Sequence, residues 1–110
     1  MISLISESDA EVLLEKLNYG LPSAWEIRQG KLFKVFIFKD FVDAFGFMQA
    51  VAALAESQQH HPDWSNSYNK VVIHLSTTEI NGLSSRDFQL AGAIETELKP
   101  LIEVGLLESD

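Results

Sequence analysis

Two adjacent histidines, His60 and His61, are followed at once by Pro62. Imidazole exchanges protons near neutral pH, so the pair suits general acid–base work. The residue before a proline is biased away from the α region, so the helical pattern upstream should stop at or before His61. Both imidazoles then sit at a helix C-terminus, where the macrodipole favours positive charge. Glu56 lies one helical turn before His60, in place to orient that ring. Asp87 is the last residue of Ser84-Ser85-Arg86-Asp87, a capping box that opens a later helix. Adjacent histidines also occur on ordinary surfaces, so the surrounding elements decide what the pair means.

Those elements can be read in order. Ser8-Asp9-Ala10-Glu11 reads as a capping box for a first helix, with Val12, Leu13 and Leu17 on its apolar face. Gly20 near the C′ position and Pro22 end it. Trp25 to Ile27 reads as a short strand, Gln29-Gly30 as a turn, and Lys31 to Phe38 as a second strand. On that second strand Leu32, Phe36 and Phe38 share one face, interrupted by Lys34, and Phe33, Val35 and Ile37 share the other. With both faces apolar, it should be an inner strand covered on both sides, the second side by another subunit. Asp40, with Asp43 at N3, caps a central helix. That helix carries two adjacent apolar stripes, Phe41, Phe45, Met48, Ala52, Ala55 and Ala44, Phe47, Val51, Leu54. The arc is wider than one sheet contact needs, which favours a helix that packs on its own sheet and on a second subunit. Trp64 to Tyr68 and Val71 to Thr78 read as further strands around an Asn69-Lys70 turn. The last helix runs from the Ser84 box through Leu98, and Lys99-Pro100 should end or kink it. Short strand-to-strand connections imply antiparallel pairing, giving an α+β fold in the order α-β-β-α-β-β-α with helices on one face of the sheet.

Composition narrows the function classes. A chain of 110 residues is expected to form one domain, 1–110, with 101–110 as an apolar C-terminal extension. There is no cysteine, which excludes disulfides and thiolate metal sites. A net charge of −8 disfavours direct nucleic-acid binding. No apolar run reaches membrane-span length, and the N-terminus lacks a basic n-region, so a soluble cytoplasmic protein is the expectation.

From about Trp25 to about Glu95 the sequence resembles the pterin-4a-carbinolamine dehydratases, also called 4a-hydroxytetrahydrobiopterin dehydratases. The resemblance rests on Phe38-Lys-Asp-Phe41, Ala44-Phe-Gly-Phe-Met48, Ala55-Glu56, His60-His-Pro-Asp-Trp64, Tyr68-Asn-Lys-Val71, Leu75-Ser-Thr77, Gly82-Leu-Ser84 and Asp87 followed by Leu90-Ala91. The family signature is an acidic residue, a His-His-Pro after three residues, an aromatic, a His or Trp, and an Asp. Glu56, His60, His61, Pro62, Tyr68 and Asp87 fit it. The His-or-Trp position falls on Thr78 and departs from it, which implies weakened catalysis. Gln59 also stands where many members carry Asp or Asn.

The resemblance implies a four-stranded antiparallel sheet of order 1-2-4-3 and a homodimer or homotetramer. It implies dehydration of 4a-hydroxytetrahydropterin to quinonoid dihydropterin and water in tetrahydrobiopterin recycling, without metal or cofactor. It makes His60, His61 and Asp87 the catalytic candidates, with the two imidazoles doing the proton transfers. Glu56, Gln59, His60, His61, Ser76, Thr77, Thr78 and Glu79 are the pterin-binding candidates. Asp87 would polarise a histidine or water. His74 shares a strand face with Thr78, but four extended residues span about 13 Å, so His74 is not expected to take the role of position 78 and reads as a surface or interface residue. The alternative the resemblance carries is a protein-binding module, a transcription-factor dimerisation cofactor or a Rubisco assembly factor.

Overall fold

Ser6, rather than Ser8, starts the first helix. Its hydroxyl accepts from the Asp9 N–H at 3.2 Å, and α1 runs Glu7–Asn18. The computed structural model describes residues 2–103. α1 ends with Gly20 at φ 77, and it turns Ala10, Leu14 and Leu17 toward the core while Val12 stays half exposed. The strands are β1 (Glu26–Arg28), β2 (Lys31–Ile37), β3 (Asp63–Ser67) and β4 (Lys70–Leu75). All neighbours pair antiparallel in the order β1-β2-β4-β3. The α+β architecture is as expected from the sequence, and β2 is an inner strand.

Asp40 caps α2 (Phe41–Gln58) by accepting from the Asp43 N–H at 2.9 Å. Of its two apolar stripes, Ala44, Phe47 and Val51 are buried together with Ala55, while Phe41 and Phe45 stay exposed. α3 (Ser85–Glu103) continues through Pro100, so of the expected end or kink the end does not occur there. Pro100 removes one amide from the helical ladder near the helix end, where Leu101 still packs against the core. The extension expected at 101–110 falls for the most part outside the described residues.

The core lies between one sheet face and the helices. Leu32, Phe36 and Phe38 of β2 and its edge, with Val71, Ile73 and Leu75 of β4, meet Phe47, Val51, Leu90, Ile94 and Leu98. Phe47 has ring centroids at 5.0 Å from Phe36 and 4.9 Å from Phe38. The interruption at Lys34 is resolved by pairing. Its ammonium is buried, 2.7 Å from Glu95 Oε2 of α3 and 2.9 Å from the Ser23 carbonyl. The same Glu95 oxygen accepts from the Trp25 indole N–H at 2.8 Å.

β4 stops at Leu75, three residues before the expected end. Thr77 then bridges to Gly82, and Thr78–Ile80 form a short 3₁₀ turn. This turn, the end of α2 and the start of α3 converge at one end of the domain.

Candidate active site

Gln59 sets the geometry of the histidine pair. It adopts the left-handed conformation, φ 50, just after α2. Its amide donates to Glu56 O at 3.2 Å and the His60 amide to Ala55 O at 3.0 Å, a Schellman pattern that satisfies the last carbonyls of the helix. The reversal separates the two imidazoles. His60 turns inward and is buried, whereas His61 remains on the surface.

His60 Nε2 lies 2.5 Å from Asp87 Oδ1. Asp87 is fully buried, and its other oxygen accepts from the Ser84 N–H and the Thr77 hydroxyl, both at 2.9 Å. Ser84 N–H is the donor that a capping-box carboxylate normally takes, so one side chain caps α3 and anchors His60. The Ser84 hydroxyl also meets the Thr77 hydroxyl at 2.6 Å. The buried polar atoms of this cluster therefore satisfy one another. Arg86 completes the junction by donating to the carbonyls of Gln58 and Gln59 at 3.1 and 2.8 Å. A guanidinium on the exposed C-terminal carbonyls of α2 also complements its dipole. Sequence reading missed Arg86, because the signal is a contact between two helix ends.

His61 Nε2 lies 2.6 Å from Glu56 Oε2. The expectation that Glu56 orients His60 is thus corrected. The i to i+4 relation holds only while the helix continues, and the left-handed residue brings His61 back over Glu56 instead. A carboxylate on Nε2 holds a proton there and leaves Nδ1 as the free ring nitrogen.

His61 forms one wall of an open cavity of about 560 Å³. Pro62, Asp63, His74, Ser76 and Thr78 line it, and the Gln29-Gly30-Lys31 hairpin and Asn81-Gly82 complete the rim. Of the residues expected to bind substrate, His61, Ser76 and Thr78 reach this lining. His60 and Thr77 lie behind the wall in the Asp87 cluster. Gln59 is occupied at the helix end, its side-chain amide donating to Glu56 O at 2.8 Å, and Glu79 points to Arg86 at 3.9 Å. His74 was expected outside the site, yet it lines the cavity. The 13 Å separation assumed a strand extended through Thr78, whereas the chain bends after Leu75. The hairpin residues Gln29, Gly30 and Lys31 had no sequence signal beyond a turn.

The sequence profile of the family described as Pterin 4 alpha carbinolamine dehydratase matches residues 3–97. The chain belongs to this family. Among its dehydratase relatives, a Pterin-4-alpha-carbinolamine dehydratase of Drosophila melanogaster is 49% identical over 84 residues, covering 74% of this chain and 44% of its own. A protein of Synechococcus sp. (strain WH7803), whose name assigns it provisionally to the same enzyme, is 46% identical over 95 residues, 86% of this chain and 97% of its own. The crystal structure of a transcriptional coactivator/pterin dehydratase from Brucella melitensis superposes with a TM-score of 0.76 at 34% identity, covering 86% of this chain and 97% of that one. The dehydratase fold and the antiparallel sheet order are therefore shared with a solved relative.

Proposed function

We propose that this member of the family dehydrates 4a-hydroxytetrahydropterin to quinonoid dihydropterin in the recycling of tetrahydrobiopterin. The observation that carries the reading is His61, anchored by Glu56 on the wall of a cavity of about 560 Å³. That volume falls within the range of small-molecule sites and suits a bicyclic pterin. In the reaction the C–O bond at the carbinolamine carbon breaks, and the oxygen takes up a proton and leaves as water. The adjacent ring N–H loses its proton, and its electron pair closes the C=N bond. The step therefore needs a proton donor and a proton acceptor, and His61 Nδ1 is free to be one of them. His60 and Asp87 act as positioning residues, fixing the turn that presents His61. Ser76 and Thr78 offer hydroxyls to the polar edge of the pterin. We assign the assembled form as a homodimer or homotetramer, on the exposed apolar stripe of α2.

Stopped-flow dehydration of 4a-hydroxytetrahydropterin tests this. Wild type should exceed the spontaneous rate, and His61→Ala should lose about 10²-fold or more in kcat. Wild type at the spontaneous rate would remove the reading. A second reading, a protein-binding module, draws on the Brucella relative's description as a transcriptional coactivator and on the hydroxyl at Thr78. It would be favoured by a chain that binds no pterin and gives no acceleration.

A further inference from the structure

The dehydration requires two proton-transfer groups, and the cavity wall limits which side chains can supply them. His60 is buried and committed to Asp87. Ser76, Thr78, Gln29 and Asn81 do not exchange protons near neutrality. Lys31 and Asp63 pair with each other at 3.8 Å across the rim. Besides His61, the lining side chain of the type that exchanges protons near neutrality is the imidazole of His74.

We propose that His74, which lines the same cavity as His61, is the second acid–base group of this site. The inference rests on the dehydratase reading above. Several features place the ring. His74 is half-buried on β4 and flanked by Phe33 of β2 and Asp63 of β3 in the sheet register. Its ring packs on Phe33 at a centroid distance of 4.9 Å, and the Arg28 guanidinium lies over that same Phe33 at 4.3 Å. Packing on an aromatic ring restrains the imidazole without occupying both nitrogens. His61 precedes Asp63 by two residues, so the register that sets Asp63 against His74 also brings the His61 segment to the same end of the sheet. Among the described residues, the charged or titratable groups near His74 are Asp63 on β3, Lys31 on β2, Arg28 on β1 and the His61 imidazole.

In the step, one imidazolium gives its proton to the departing hydroxyl while the other, neutral imidazole accepts the proton of the ring N–H. The two rings exchange protonation states, and solvent exchange restores them. No oxidant or metal enters the balance.

The test compares wild type, His74→Gln and His74→Gln/Thr78→His in the same stopped-flow assay, with circular dichroism and thermal melts as controls. Gln keeps hydrogen-bonding capacity and removes the proton transfer. The expected result is a fall in kcat of about 10²-fold for His74→Gln with KM and melting temperature little changed. The double variant, which returns an imidazole to the same wall, should recover at least a tenth of the lost activity. An active wild type with His74→Gln equally active overturns the assignment of His74 and leaves the dehydratase reading standing. A loss confined to KM or matched by a lower melting temperature, or no recovery in the double variant, also overturns it. A wild type that fails to exceed the spontaneous rate removes both.

Discussion

Asp87 combines two roles in one carboxylate. One oxygen meets the buried His60 ring, and the other closes the capping box of α3 and accepts from Thr77. Replacing it by Ala leaves an imidazole, an amide and a hydroxyl without their shared partner in a buried site. Breaking such a cluster costs about 3 kcal/mol or more, and the loss should appear in urea denaturation as a lower midpoint at similar slope. Glu56 is the contrast. It and His61 are both mostly exposed, so Glu56→Gln should leave stability within about 0.5 kcal/mol and act on turnover instead. A Glu56→Gln variant with full kcat would show that the His61 pair does not matter for the reaction. The capping half of Asp87 was legible in the sequence, because Ser84 and Asp87 stand three apart ahead of a helical pattern. Which histidine Asp87 and Glu56 would each meet was not legible. It depends on a single left-handed residue, Gln59, that carries no glycine or asparagine to announce it.

At the scale of elements, strands and helices were readable from alternation and caps, and the errors fell where tertiary contacts override local signals. Asp40 and the α3 box fell where expected, and the turn between β3 and β4 lies one residue earlier than expected, on Tyr68-Asn69, with Lys70 already in β4. The end of β4 did not, because the Thr77–Gly82 bridge turns the chain away after Leu75. That one bend converts His74 and Thr78 from distant strand neighbours into co-lining residues. Lys34 also read only as an interruption, since its partner Glu95 lies on another element 61 residues away. This buried pair ties β2 to α3 and can be tested as a unit. Lys34→Met alone strands the Glu95 carboxylate in the core and should cost about 3–5 kcal/mol. Lys34→Met/Glu95→Leu should recover most of that, less about 1–3 kcal/mol for the Trp25 N–H left without an acceptor. Equal losses in the single and double variants, measured by urea denaturation, would rule out the stranded charge as the cause.

For the whole molecule, the decisive question is what covers α2. One flank of the helix is in the core, and on the other Phe41 and Phe45 stack at 5.7 Å while remaining 45% and 47% exposed, with Val42 at 75% beside them. This paired aromatic surface is what the proposed homo-oligomer would cover. A symmetric contact between copies buries the same residue on both sides, so each substitution counts twice. Fully burying a Phe is worth about 1.5–3 kcal/mol, and Phe45 has only its exposed half left to bury, hence about 1.5–3 kcal/mol per two-sided contact, before the cost of burying the introduced charge. Phe45→Glu also adds a negative charge to each protomer of a chain that already carries −8. Together these should weaken self-association by at least about 10²-fold. In sedimentation equilibrium wild type should run above the protomer mass, and Phe45→Glu should fall to a smaller species with unchanged circular dichroism. The contacts that hold His61, from Glu56 and through the His60–Asp87 cluster, lie within one chain, so that smaller species should still bind a pterin analogue. Wild type at the protomer mass, or an assembly untouched by Phe45→Glu, would move the interface off α2. The half-buried Phe33, Val35 and Ile37 on the open face of the sheet would then be the next apolar surface to test.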